Sequence, residues 1–186
     1  MTRPRLTRTD WILAAFRALA SGGPKALRIE PLARTLTATK GSFYWHFDGP
    51  DALRDAMLEH WQAAAATTII DSLSQLPPGA PRLRALADIL DRTLDPAHGG
   101  AMAEPALREW GRFDDRVAAT IALVDHLRLD FLRGCLREAG LPADPHARLI
   151  YAAEIGLEVL AADGKGDLSA PMHALLDQLG VPSASA

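Results

Sequence analysis

The residues best suited to chemistry crowd into one short stretch, TATKGSFYWHF, running from Thr37 to Phe47. Four aromatic rings stand there beside a histidine, a lysine, a glycine and the hydroxyls of Thr37, Thr39 and Ser42, in a chain that is only 6% aromatic. At helical spacing Phe43 and Phe47 share one face and can anchor the segment in a core, which leaves Thr39, Lys40, Ser42, Tyr44 and His46 facing outward. Those outward groups are hydroxyl, ammonium and ring N–H donors, suited to phosphate oxygens and base edges. Thr39 can cap the helix with its hydroxyl, so that backbone N–H groups at the positive helix end meet a phosphate. Gly41 allows a close backbone approach and Lys40 supplies a charge-assisted contact. The chemistry expected is recognition of nucleic acid.

Other chemistries fail on spacing. The HGGA stretch at His98 lacks the Gly-x-Ser-x-Gly elbow of an esterase, and GKG at Lys165 lacks the spacing of a phosphate-binding loop. No two histidines stand at a metal-binding interval with a carboxylate between them. His60, His98, His146 and His173 read as surface or packing residues, and Cys135, the single cysteine, reads as a buried inert thiol. The expectation is therefore a protein that is not an enzyme and holds neither cofactor nor metal.

The elements that must position the stretch follow from charge and punctuation. The net charge of -3 divides unevenly: residues 1–47 carry +6 and residues 48–186 carry -9. A basic head on an acidic body points to a polyanionic partner for the head alone. Proline and glycine interrupt a pattern that is otherwise helical nearly everywhere. A first helix is expected from about Thr9 to Ser21, stopped by SGGP. A short segment IEPLARTL follows, then the turn TAT and the aromatic stretch, closed by DGP. Two short helices joined by a three-residue turn, with a third in front, form a helix-turn-helix whose second helix enters the major groove.

Beyond Pro50 the pattern predicts one long helix through residues 51–76, then four or five more. Among them is a helix from about Asp114 to Ala139 with Val117, Ile121, Val124, Leu127, Phe131, Leu132, Cys135 and Leu136 at helical spacing. PRLRALADILDRTL places Leu83, Leu86, Ile89, Leu90 and Thr93 on one side, and the SASA tail is expected to be disordered. The fold class expected is all-α: a three-helix DNA-binding head, residues 1–50, and a helical ligand-binding and dimerisation body, residues 51–186. No apolar run is long enough to span a bilayer and the basic start lacks the apolar stretch of a secretory signal, so no membrane partner and a cytoplasmic location are expected.

The string LARTLTATKGSFYWHFDGPDAL resembles the helix-turn-helix signature of the tetracycline repressor (TetR) family of transcriptional regulators, and the order of elements is similar too. The resemblance implies a homodimer that binds a double-stranded DNA operator through its head and releases it when an unknown small-molecule effector enters the body. By position it implies DNA contacts from Thr39, Lys40, Gly41, Ser42, Tyr44, Trp45 and His46, a backbone contact from Arg28, and a basic arm of Arg3, Arg5 and Arg8. It also implies that dimerisation lies on the two long helices near the C-terminus.

The sequence departs from the signature at three points. Thr37 stands where the turn usually carries glycine, so the turn either accepts a left-handed residue or bends differently. Arg28 stands where a capping Ser or Thr is usual. Asp48, Pro50 and Asp51 replace a basic residue that would grip a phosphate, which keeps open an alternative: a ligand-binding or protein-interaction module on the same fold with weakened DNA binding.

In the body, YAAEIGLEVL sets Ala152, Ala153 and Gly156 within a turn, with Leu149, Leu157 and Leu160 around them, a surface another helix can approach closely; Glu154 is expected to point to water. A ligand pocket is expected from Met57, Trp61, Met102, Trp110, Phe113 and His126.

Overall fold

The computed structural model describes residues 6–91, 99–161 and 167–183. Arg3, Arg5, Thr93, His98, Lys165 and the last three residues of the SASA tail lie outside them. Among the described residues every regular element is helical.

Helix α1, Arg8–Gly22, begins on a reciprocal cap. The Thr7 hydroxyl accepts the Asp10 N–H at 3.2 Å and the Asp10 carboxylate accepts the Thr7 N–H at 2.7 Å. The Thr7 N–H, and the Thr7 hydroxyl donating to the same carboxylate at 2.7 Å, lower the pKa of Asp10 below the ordinary carboxylate value. After a 3-10 turn at Pro24–Ala26 come α2, Ile29–Thr35, and α3, Lys40–Tyr44. Arg28 occupies the N-cap of α2 and makes no side-chain cap, so that stabilisation of about 1 kcal/mol is missing, as its residue type predicted.

Thr37 takes the left-handed alternative, at φ +51°. Its N–H donates to Arg34 O at 3.0 Å while the Ala38 N–H donates to Ala33 O at 2.7 Å, closing α2 with paired bonds that require a left-handed residue between them. Helices elsewhere in the chain close the same way on Gly140 and Gly180. A β-branched residue in that conformation costs about 1–2 kcal/mol relative to glycine.

Pro50 opens α4, Pro50–Gln62, at a position where its missing N–H has no helical partner. The long helix expected through residues 51–76 is not continuous. A π-helical turn, Ala63–Thr67, separates α4 from α5, Thr68–Ser74, with the Thr68 N–H donating to Ala63 O five residues back. Four consecutive alanines offer little side-chain packing to hold the α register there, and the Arg128 Nε donates to Ala65 O at 3.0 Å from outside the helix.

The remaining helices are α6, Ala80–Ile89, α7, Ala103–Gly111, α8, Asp115–Glu138, α9, Ala143–Leu160, and α10, Ser169–Gln178. Gly79, at φ +82°, turns the chain into α6 with room only for a hydrogen: a Cβ would stand 3.2 Å from Ala139 N.

Two apolar clusters hold these elements. The first joins α1, α2 and α3 to α4 and continues into α7 and α8 through Leu107, Trp110, Val117 and Val124. The second packs α6, α8, α9 and α10 around Leu83, Leu132, Leu136, Ile150 and Met172. Cys135 is buried within it, and burial pushes its thiol up to about 11, as an inert packing residue requires. Arg84 is nearly buried and fastens α10, donating to Asp177 Oδ1 and to the carbonyls of Val181 and Pro182.

Candidate nucleic-acid interface and body cavity

Helix α3 divides its aromatics between two environments. Phe43 is fully buried, meets Trp11 of α1 edge-on at 5.3 Å between ring centroids, and lies 5.3 Å from Phe47, itself buried. Tyr44 and Trp45 turn outward, 51% and 80% exposed. Anchoring one face in the core fixes which groups the other face presents. Thr39, Lys40 and Gly41 are exposed, with Ser42 and His46 half-buried beside them. The Thr39 hydroxyl caps α3, accepting the Ser42 N–H at 3.1 Å. Lys40 Nζ lies 3.7 Å from Glu30 in an exposed pair that leaves the ammonium accessible. Arg28 is exposed at the start of α2.

Arg8 of the expected basic arm is instead turned onto the head, its guanidinium 5.1 Å from the Phe47 ring centroid. Arg3 and Arg5 fall outside the described residues. At the start of α4 the two acids differ: Asp51 pairs with Arg54 at 3.1 Å, whereas Asp48 is exposed and pairs with no cation among the described residues.

In the body, a cavity of about 20 Å³ lies between the π-helical turn, α5, α6, α8 and α9. Its walls include Ala65, Ile70, Leu86, Phe131, Arg128 and Glu154. None of the six residues expected to line a pocket borders it. Met57, Trp61 and Trp110 are buried in the first apolar cluster and Met102 is half-buried. Phe113 is 79% exposed under the Arg112 guanidinium, and His126 faces solvent beside Asp130 at 3.0 Å. Met57, Trp61 and Trp110 fill the first apolar cluster with their own bulk, and Phe113 and His126 face away from the interior.

Glu154 also corrects its expected place. It is 5% exposed, one member of a charged network in which Glu104, Asp125, Glu154 and Glu158 accompany Arg108 and Arg128. Arg108 Nη2 reaches Glu104 Oε1, Asp125 Oδ1 and Tyr151 Oη, each within 2.8 Å, and Tyr151 donates its hydroxyl to Asp125 at 2.6 Å. Arg128 forks onto Glu104, Nη1 to Oε1 and Nη2 to Oε2, both at 3.1 Å. Burial raises the pKa of Glu154, and burial together with Glu104 and Glu154 pushes Glu158 up to about 8. Sequence reading misses this network because charged residues on amphipathic helices are normally solvated; only the fold brings α7, α8 and α9 together there.

On α9, Leu149, Ala152, Gly156 and Leu160 share an exposed face, Leu160 being 82% exposed, with Ala153 and Leu157 half-buried at its edge. A Cβ at Gly156 would meet nothing within 4 Å, so packing inside one chain does not require glycine there.

The sequence model of bacterial regulatory proteins, tetR family, matches residues 12–57. A comparison with curated proteins finds no match. Among solved structures, a transcriptional regulator from Rhodococcus sp. Rha1 is similar at 18% identity, with 94% of this chain and 95% of that one covered and a TM-score of 0.74. FadR from Bacillus subtilis in complex with stearoyl-CoA is similar at 17% identity, covering 96% and 100% of the two chains, at a TM-score of 0.74. A regulator from Saccharomonospora viridis in complex with choline is similar at 16% identity, covering 93% of each chain, at a TM-score of 0.67. Residues 12–57 thus match the tetR family of bacterial regulatory proteins, and the chain as a whole shares the fold of solved TetR-family regulators.

Proposed function

We propose that the chain is a ligand-responsive DNA-binding regulator, a cytoplasmic repressor that leaves a palindromic operator when a small molecule enters its body. The observation that carries the reading is the division of α3: Phe43 and Phe47 lock one face into the head, and Thr39, Lys40, Gly41, Ser42, Tyr44, Trp45 and His46 are displayed on or beside the other. A short helix displaying polar and flat aromatic groups from the basic part of the chain suits insertion into a major groove, with Arg28 on the backbone. Similar folds solved in complex with stearoyl-CoA or choline support a ligand site, which this reading places in residues 51–186.

Two copies pair through the exposed apolar face of α9 in this reading, since Leu149, Ala152, Gly156 and Leu160 otherwise stand against water. Pairing places two α3 helices about one turn of B-DNA, or a multiple of it, apart. Gly156→Arg, introduced into that face, is expected to yield monomers in light scattering and to abolish operator binding; a persistent dimer sinks this placement of the interface.

The deciding experiment is selection from random duplexes at several salt concentrations. A palindrome whose log affinity falls with log salt by about 0.9 per neutralised phosphate supports the regulator. Weak, sequence-independent binding supports the second reading, a ligand-binding module with a weakened head, which the exposed carboxylate of Asp48 favours.

A further inference from the structure

We propose that the body cavity takes a small organic cation with an apolar flank, and that the Glu154 carboxylate is the anchor for its positive charge. The inference rests on the reading of the body as the effector domain and adds the chemical class of the ligand.

Its ground is the inequality between the two charged groups on the cavity wall. The Arg128 guanidinium is engaged at each of its three nitrogens: Nε donates to Ala65 O, and both terminal nitrogens fork onto Glu104. Its charge is already offset by the Glu104 carboxylate before any ligand arrives. Glu154 is more deeply buried, yet its carboxylate accepts no hydrogen bond from any described residue, and its one ion pair among them is the long contact to Arg128 Nη1 at 3.6 Å. A buried carboxylate so incompletely satisfied is costly unless it is protonated or meets another cation. The rest of the wall, including Ile70, Leu86 and Phe131, is apolar and suits the alkyl or aromatic flank of such a cation.

The space, about 20 Å³, is little more than one water occupies. An organic cation therefore enters only if the helices that wall the cavity part. A ligand that binds the parted arrangement better than the closed one is what an effector must be. Because that cation competes with a proton on Glu154, its affinity rises with pH. The charged groups facing the carboxylate are Arg128 from α8, Glu104 and Arg108 from α7, and Glu158 from α9 itself.

The test is calorimetric titration of the full chain with benzyltrimethylammonium, its neutral carbon isostere neopentylbenzene, and phenylpropionate. Wild type is expected to prefer the cation by at least about tenfold. Glu154→Gln should lose that preference while binding the isostere unchanged, which also reports an intact cavity, and Glu154→Asp should keep it. Equal binding of cation and isostere by wild type, a cation preference surviving in Glu154→Gln, or no binding of any probe overturns the assignment. Repeating the titrations on the DNA complex separates the two readings. Release by phenylpropionate or the isostere but not by the cation keeps the effector domain and removes the cation. Cation binding through Glu154 that leaves DNA affinity unchanged keeps the site and removes the effector role.

Discussion

A Cβ added to Gly41 would meet nothing nearer than the Thr39 hydroxyl at 3.7 Å, and the backbone there is ordinary helix. Glycine inside a helix costs about 1 kcal/mol relative to alanine, so the fold gives a reason to replace it and none to keep it. A surface approaching from outside α3 supplies the reason. Gly41→Ala should raise the melting temperature of the protein and weaken operator binding in fluorescence anisotropy; a variant that is more stable and binds DNA equally well would remove Gly41 from the interface. The acids beyond α3 act in the opposite sense. Asp48→Asn is expected to tighten DNA binding several-fold at low salt and little at high salt, while Asp51→Asn does less, because the Asp51 charge is already offset by Arg54. No change on replacing Asp48 would show that its carboxylate lies away from the phosphates. At this scale the buried and displayed aromatics of α3 were legible, because period 3.6 separates Phe43 and Phe47 from Tyr44. The burial of Glu154 and Arg128 was not, because their partners are supplied by helices far away in sequence.

Element boundaries were legible where proline and glycine mark them, at SGGP, Pro50 and Gly140, and illegible where a run of alanines carries no period. The π-helical turn at Ala63–Thr67 is such a place. One extra residue per turn rotates everything beyond it by about 100° relative to an unbroken α-helix, so it sets how the head-bearing α4 is aligned with α5 and the cavity. Arg128 holds that turn from α8 through Ala65 O and borders the cavity with the same side chain, joining the ligand space to the element that leads to DNA. Arg128→Lys keeps the charge but cannot reproduce the fork onto Glu104 together with the Nε bond. The expected result is a loss of about 1–3 kcal/mol in stability, and hydrogen exchange accelerated in residues 63–70 relative to the middle of α4. Uniform exchange across residues 50–74, unchanged from wild type, would show that the turn is held by other forces.

Across the whole molecule, charge is distributed on two levels. On the surface, the positive head and negative body orient the chain toward DNA by one end, which the uneven sum over residues 1–47 and 48–186 made legible. Inside, four carboxylates meet two guanidinium groups around α7, α8 and α9, and the excess acid must hold protons or meet cations. That has a measurable sign. Glu158, pushed up to about 8, and Glu154, raised in the same direction, retain protons in the folded chain that the unfolded chain releases near the ordinary glutamate value. Between those limits the unfolded state binds fewer protons, so stability falls as pH rises through the window from about 4.5 to about 8, then levels off. Asp10 acts oppositely: its lowered pKa contributes stability above its unfolded value that is lost on acidification below it. The melting temperature should therefore be highest near pH 5 and decline toward pH 8. Glu158→Gln, which cannot ionise, should flatten that decline and be more stable than wild type above pH 8, by an amount on the order of a few kcal/mol at most. A wild-type melting temperature that rises over the same interval would mean that Glu158 ionises inside the folded body, and the surplus of buried carboxylates would then be met by a cation already within the chain.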